Sequence, residues 1–326
     1  APSRTQSDAG RPPKERRVTS DFDHRSVLLD ATVEALQPAA GGRYLDCTLG
    51  GGGHSDAILQ ASGPDGRLAG IDRDPHALRA ATERLARFGD RFVALRGTFA
   101  QMGPLAGDLG PFDGILLDLG VSSPQLDQPG RGFSFRADGP VDMRMDPDSG
   151  QSAADLLDEI SEPELVNILR RYGEEPRARR IARAILEGRP WTSTLALASC
   201  IAESSGYRQS RTHPATRTFQ AIRMAVNDEL GQLERALDSA LLLLAPSGRL
   251  AVITFHSLED RMVKRRFRDA AGENSPRDPY GNPLHPPAYR LVHRRGIAGK
   301  DADPGHPRSR SARLRILEKI PPHPPQ

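Results

Sequence analysis

The chain has 326 residues, with 45 Lys or Arg against 42 Asp or Glu for a formal charge of +3, and a pI of about 9.1; this is enough for one large or two ordinary domains with a self-sufficient core. Its two cysteines, Cys47 and Cys200, exclude a disulfide framework or a thiolate metal centre and point to a reducing, cytoplasmic setting. The longest apolar run, 240–245, is far too short to cross a bilayer, and residues 1–20 lack an apolar leader core, so a soluble protein with no membrane partner is expected.

In chain order, residues 1–20, with Arg11-Pro-Pro-Lys-Glu-Arg-Arg17, read as a disordered basic tail. An apolar run over 43–49 leads into Gly50-Gly-Gly-Gly-His54-Ser55, and a helix is expected from 55 to 61. Glycine admits positive φ and lets the backbone approach a ligand, so this is a ligand-facing turn. A second run, 67–71, ends in Asp72-Arg-Asp-Pro75. Open α/β sheets use a carboxylate here, about 20 residues past the glycines, to hold the ribose hydroxyls of a nucleotide-like cofactor. Both NAD and S-adenosylmethionine suit that pair. The G-x-G-x-x-G pattern is incomplete, because Ser55 stands where Gly or Ala is needed. Asp46, just ahead of the glycines, would repel a pyrophosphate and attract a sulfonium. S-adenosylmethionine is therefore favoured, with a nicotinamide-dependent oxidoreductase as the alternative.

Apolar spacing predicts a helix over 75–88 and a strand over 91–95, and the continuous run 112–119 predicts a buried parallel strand. From 124 to 212 the rhythm breaks into Gly, Pro, Asp and Arg loop signals and helix-like stretches at 153–158, 163–172 and 176–186. That segment reads as an inserted, mainly helical substrate-recognition subdomain. Residues 215–244 read as one helix whose Leu230, Leu233, Leu237, Leu241 and Leu244 form an apolar stripe. Pro246-Ser-Gly248 stops it, 249–255 is a fifth strand ending at His256, 259–268 is a helix, 274–287 a Pro-rich loop, 312–320 the last strand and 321–326 a tail. The fold class expected is α/β, a Rossmann-like, doubly wound, mostly parallel sheet formed by 21–123 and 213–320 around the insert. In such sheets ligands sit beyond the carboxyl ends of the strands, so the loops after 49, 72, 96, 118 and 255 should converge. His213, His256, His285, His293 and His306 lack metal-ligand spacing, and no metal is expected.

Asp23-His-Arg-Ser-Val-Leu-Leu29, Gly50 to His54, Ile71-Asp-Arg-Asp-Pro75, Leu117-Asp-Leu-Gly-Val-Ser-Ser-Pro-Gln125, Gly132-Phe-Ser-Phe135, Asp142-Met-Arg-Met145, Val226-Asn-Asp-Glu-Leu230, Phe255-His-Ser-Leu-Glu-Asp-Arg261 and Arg310-Ser-Ala-Arg-Leu-Arg315 together resemble the RsmH (MraW) family. That family N4-methylates a cytosine in the decoding region of 16S ribosomal RNA. The resemblance runs from about 23 to 320. It implies a class I S-adenosylmethionine-dependent methyltransferase, with 16S rRNA of the small ribosomal subunit as partner. It also implies cofactor contacts at Gly52, Gly53, His54, Asp72, Phe99, Asp118 and Gln125; the residues mark the first four and the Asp118 loop independently.

Methyl transfer from a sulfonium is an in-line displacement with a neutral leaving thioether, so positioning dominates and neither metal nor acid is needed. The cytosine amine is a weak nucleophile whose lone pair would be localised by acceptors on its N–H groups. Other amino-methyltransferases place Asp/Asn-Pro-Pro-Tyr/Phe after the fourth strand, whereas this chain has Asp118-Leu-Gly-Val121. Asp118, or the carbonyls of 119–122, are the candidate acceptors, with Ser122 and Ser123 shaping the pocket. A C5-methylating enzyme would need a cysteine in these loops, and none is there. For RNA, Phe133 and Phe135 are candidates to stack on an extruded base, His256 to accept a proton or touch RNA, and Arg144 and Arg261 to contact it. Of the arginine clusters at 170–183 and 261–313, fewer than half are expected to reach phosphates. A noncatalytic RNA-binding assembly factor on the same fold is the remaining alternative.

Overall fold

The computed structural model describes residues 25–206, 212–276, 278–280 and 284–322. The expected tail at 1–20, the start of the first family motif at Asp23, part of the Pro-rich loop and the last residues of the chain lie outside them. Within them the chain begins with α1 (Leu29–Leu36), β1 (Arg43–Asp46), α2 (Gly53–Ala61), β2 (Arg67–Asp72), α3 (Pro75–Leu85) and β3 (Phe92–Arg96). It continues through α4 (Met102–Ala106), β4 (Phe112–Asp118) and α5 (Ser123–Asp127). Next come α6 (Ala153–Glu159), α7 (Glu162–Gly173), α8 (Ala178–Glu187), α9 (Thr194–Ser205), α10 (Ala215–Val226) and α11 (Glu229–Leu243). The last part holds β5 (Leu244–Thr254), α12 (Ser257–Ala270), β6 (Tyr289–Leu291), β7 (Ile297–Ala298), α13 (Gly299–Ala302) and β8 (Arg313–Lys319).

One sheet runs β3-β2-β1-β4-β5-β8-β6, with β7 also paired to β8. The strands from β3 to β5 are parallel, and β8 enters antiparallel to β5. Burial on both faces explains why β2 and β4 read as continuous apolar runs. One face packs under α11 and α12 through Leu233, Leu237, Leu241 and Phe267. The other packs under α1, α2 and α3 through Leu36, Ile58, Leu59 and Leu85. This is a doubly wound, Rossmann-like α/β sheet. Its strand order reverses between β1 and β4, which opens a crevice at their carboxyl ends.

The single helix expected over 215–244 is two helices. The chain breaks at Asn227 and Asp228, the latter left-handed at φ 47, because buried Asn227 is committed sideways. Its Oδ1 accepts from Met145 N at 2.9 Å and its Nδ2 donates to the Met143 carbonyl at 2.8 Å. The helix on the near side of the break, α10, buries Ala215, Phe219, Ala221 and Ile222 in one apolar cluster with α6 to α9, and the stripe of α11 packs on the sheet. Strand β5 starts earlier than expected, with Ser247 at φ 64 and a register shift against β4 between Phe112 and Gly114. Helices α1, α4, α5, α9 and α13 and the short strands β6 and β7 come in addition to the elements expected from the sequence. Among the described residues no helix is long and apolar enough to cross a membrane.

Candidate active site

The loops after β1 to β5 line one cavity of about 560 Å³, a size suited to a small-molecule ligand. Gly50 at φ 51 and Gly52 at φ 76 turn the chain from β1 into α2. Gly50, Gly51, Gly53 and His54 form the wall, while Gly52 lies beneath it, where a Cβ would come within 3.3 Å of Ala81 and Leu85. At Gly53 a Cβ would fall 2.3 Å from Ser26 Oγ. Glycine is therefore required here both for the turn and for close approach.

Asp46 does not face the cavity. It is buried under the turn, accepting from Ser55 Oγ at 2.7 Å and Thr48 N at 3.1 Å, and burial pushes its carboxyl up to about 6 against those hydrogen bonds. The expectation that it faces a sulfonium is corrected: it braces the glycine turn. Ser55, where a dinucleotide fingerprint needs Gly or Ala, is the other half of that brace.

Asp72 at the end of β2 lines the cavity and accepts from Gly50 N (2.8 Å) and Asp74 N (2.9 Å). One carboxylate thus fixes the glycine turn and keeps lone pairs free for a ligand. Burial raises it to about 6, helped by the charges of Asp74 and Asp46 and opposed by the two backbone N–H groups. Asp118 at the end of β4 is held by Thr48 Oγ1, which accepts from its N at 2.6 Å. Its Oδ1 is buried without a hydrogen-bond partner, and burial, then the charges of Asp46 and Glu259, lift its carboxyl well above the ordinary range. His54 stands 3.7 Å from Asp118 through Nδ1. The His54 Nε2 faces the Val27 carbonyl at 3.1 Å, so it carries the proton and Nδ1 presents a lone pair. Burial pulls this imidazole down to about 4, only partly offset by Val27. His54 is neutral, and among the described residues neither Asp72 nor Asp118 pairs with a Lys or Arg. The floor of the cavity therefore offers carboxyl groups that, among the described residues, no Lys or Arg bonds, an environment that fits a cationic sulfonium better than a pyrophosphate.

Phe99, in a short 3-10 turn after β3, lines the cavity and packs on the core. Gln125, also on the wall, closes a capping box on α5: its Oε1 accepts from Ser122 N at 3.0 Å while its Nε2 donates to Asp74 Oδ2 at 3.2 Å. Ser122 caps α5, and Ser123 Oγ accepts from Arg308 Nη1 at 2.6 Å. Both serines shape the loop after β4.

The candidate RNA residues divide. His256 lines the cavity and starts α12; its Nε2 is 3.1 Å from Glu259 Oε1 but outside hydrogen-bond alignment. Glu259 is lowered on balance: burial raises it, but His256, Phe255 N and Arg223 outweigh that. Glu229, His256 and Glu259 bring one ligand atom each within 4.8 Å of one another, a grouping that linear spacing did not reveal. Arg223 already pairs with both oxygens of Glu229, at 2.7 and 2.8 Å. Phe133 is 7% exposed, and the Phe135 ring sits 4.7 Å from His213 and 4.8 Å from Phe219. Both rings are committed to packing, and Ser134 between them and Arg136 just after them line the crevice instead. Arg144 is clamped on Asp142, and Arg261 pairs with Glu174, both off the cavity wall.

Four residues hold loops of the cavity in place, a role that their sequence context does not announce. Arg131 donates to Asp74 Oδ2 at 2.7 Å and to the carbonyls of Arg144 and Met145. Arg73 reaches the Asn227 carbonyl at 3.3 Å. With Asn227 these fasten the loop after β2 to the loop at 143–145. Arg308 fastens the loop after β4. Of the four, Arg131 and Arg308 are single charges in Gly/Pro-rich loops with no local signal; Asn227 at the end of a helical stripe is the one readable hint.

The chain matches the MraW methylase family over residues 21–320. It is 51% identical over 310 residues to ribosomal RNA small subunit methyltransferase H of Trichlorobacter lovleyi, covering 92% of this chain and 99% of that protein. To the protein of the same name from Thioalkalivibrio sulfidiphilus it is 53% identical over 308 residues, covering 91% and 97%. Among solved structures, N-methyltransferase NodS from Bradyrhizobium japonicum WM9 aligns over 90% of this chain and 92% of that one, with 11% identity and a TM-score of 0.41.

Proposed function

The chain belongs to the MraW methylase family, and from that premise we propose that it transfers the methyl group of S-adenosylmethionine to the N4 amine of a cytosine in the decoding region of 16S rRNA, in the cytoplasm. When bound, the cofactor supplies an electrophilic methyl on a positively charged sulfur. Asp72 would hold its ribose hydroxyls, the glycine turn and His54 would take the methionine end, Phe99 would pack beside the adenine, and Gln125 would close the wall after β4.

The observation that carries the reading is Asp118: a carboxylate with one unpartnered oxygen, in the same cavity as the glycine turn and Asp72. That oxygen is an acceptor for one N–H of the target amine, drawing the nitrogen lone pair out of the ring and toward the methyl group. Ionisation of Asp118 is favoured once a cation lies beside it, so the acceptor is strongest when the donor is in place. His54, held neutral, leaves that acceptor uncompensated, and Ser122 and Ser123 hold the loop that shapes the acceptor side. The segment 124–212 is proposed as the RNA-recognition element, acting with α10, which shares its apolar cluster.

Mass mapping of modified nucleosides in small-subunit RNA tests this directly: a strain lacking the protein should lose one N4-methylated cytosine mark, and the wild-type gene should restore it. An Asp72→Ala, Asp118→Ala double variant should not restore it; unchanged methylation would reject the site.

A further inference from the structure

The crevice is layered by charge. Its floor holds Asp72 and Asp118, while Arg136 and Arg310 stand on its rim. Most other arginines lining it are spent on the protein: Arg25 on Asp30, Arg73 on the Asn227 carbonyl, Arg223 on Glu229 and Arg308 on Ser123 and Asp127. Arg136 and Arg310 are exposed, and among the described residues neither guanidinium has a partner. Their backbones are nonetheless firmly placed. Arg136 follows Phe135, whose ring is wedged between His213 and Phe219. Arg310 follows Ser309, a buried serine whose Oγ bonds the carbonyls of Asp303 and His306.

Resting on the functional reading above, we propose that Arg136, on the lip of the helical insert, and Arg310, on the C-terminal segment, clamp the phosphates flanking the target nucleotide of a single-stranded RNA. The layering dictates this arrangement. A polyanion is repelled by the carboxylate floor and attracted to the cationic rim, while a neutral base can pass between them. Chemistry on a base edge requires the base to leave its stack, and the two phosphates beside it then straddle the opening. Guanidinium groups on fixed backbones position that strand without reading its sequence.

The test is the salt dependence of binding of a short, fluorescently labelled single-stranded RNA of decoding-region sequence to the full chain with S-adenosylhomocysteine present. Neutralising one arginine that grips a single-strand phosphate lowers the slope of log affinity against log salt by about 0.7. Arg136→Gln and Arg310→Gln should each show about that decrease and their double variant roughly twice it, with KM for small-subunit RNA raised and kcat held. Arg67→Gln, at the opposite end of the strands, should leave the slope unchanged. S-adenosylmethionine affinity should be unaltered in all of these variants, which certifies the fold. A wild-type slope in the double variant overturns the clamp while leaving the methyltransferase reading intact. A wild-type chain that neither binds this RNA nor methylates small-subunit RNA overturns the functional reading and the clamp with it.

Discussion

Asp72 is one carboxylate serving two partners: it fixes the glycine turn through Gly50 N and presents its remaining lone pairs to the cavity. Because burial lifts it to about 6, it is ionised at neutral pH and takes up a proton as the pH falls through that value, losing both negative charge and acceptor capacity. S-adenosylmethionine affinity, followed by calorimetry, should therefore weaken as the pH is lowered through about 6, and Asp72→Asn should reduce it at least tenfold at neutral pH. At this scale the sequence was informative where a residue stands at the carboxyl end of a strand or in the glycine turn, as with Asp72, Asp118 and His54, because the strand pattern itself brings those positions to one crevice. It was silent where the partner is remote. Arg131 meets Asp74 across 57 positions, Asn227 meets Met143 across 84 and Arg308 meets Ser123 across 185, and no spacing rule reaches so far. The alternation Phe133, Ser134, Phe135, Arg136 shows the same limit: the aromatic pair was visible, but which side faced the crevice depended on the cluster of His213 and Phe219.

Between β1 and α2, Gly52 combines a left-handed backbone with close approach to α3. Gly52→Ala should cost about 1–3 kcal/mol of stability from that strained backbone, read by urea denaturation, and should lower cofactor affinity by tilting the turn. A second junction is the buried ion pair of Arg131 with Asp74, where Asp74 also caps α3 by accepting from His76 N. Arg131→Met leaves that carboxylate buried without its cation and should cost about 3–5 kcal/mol, again read by urea denaturation. The parallel strands β1, β2, β4 and β5 were legible because burial on both faces writes itself as an apolar run. The break between α10 and α11 was not, since the apolar residues of α10 run on into the leucine stripe of α11 and the side-chain bonds of Asn227 that mark the break are to residues 82 and 84 positions away.

Across the whole molecule, the stretch 303–311 returns to the cavity from far beyond the loop after β4, with Arg308 lying 185 positions past Ser123. Asp303 Oδ2 accepts from Leu28 N at 2.9 Å across 275 positions, His306 bonds the Arg25 carbonyl, and Arg308 holds Ser123. Leu28 stands at φ 55 at the head of α1, one residue from the Val27 carbonyl that holds His54. Asp303→Ala should speed hydrogen exchange at the Leu28 amide and raise KM for S-adenosylmethionine more than it lowers kcat; unchanged exchange would show that the wall is held without the strap. The sheet obeys the same long-range logic, with β8 inserted between β5 and β6.

That strap imposes an order on biosynthesis. A ribosome making this chain releases the glycine turn, both floor aspartates and the insert long before Asp303 and Arg308 emerge, so the nascent polypeptide carries the cavity's carboxylates before the contacts that fasten its wall. Closing the wall beside Ser123 and the head of α1 is therefore a late event in folding, because it waits for residues 303–308.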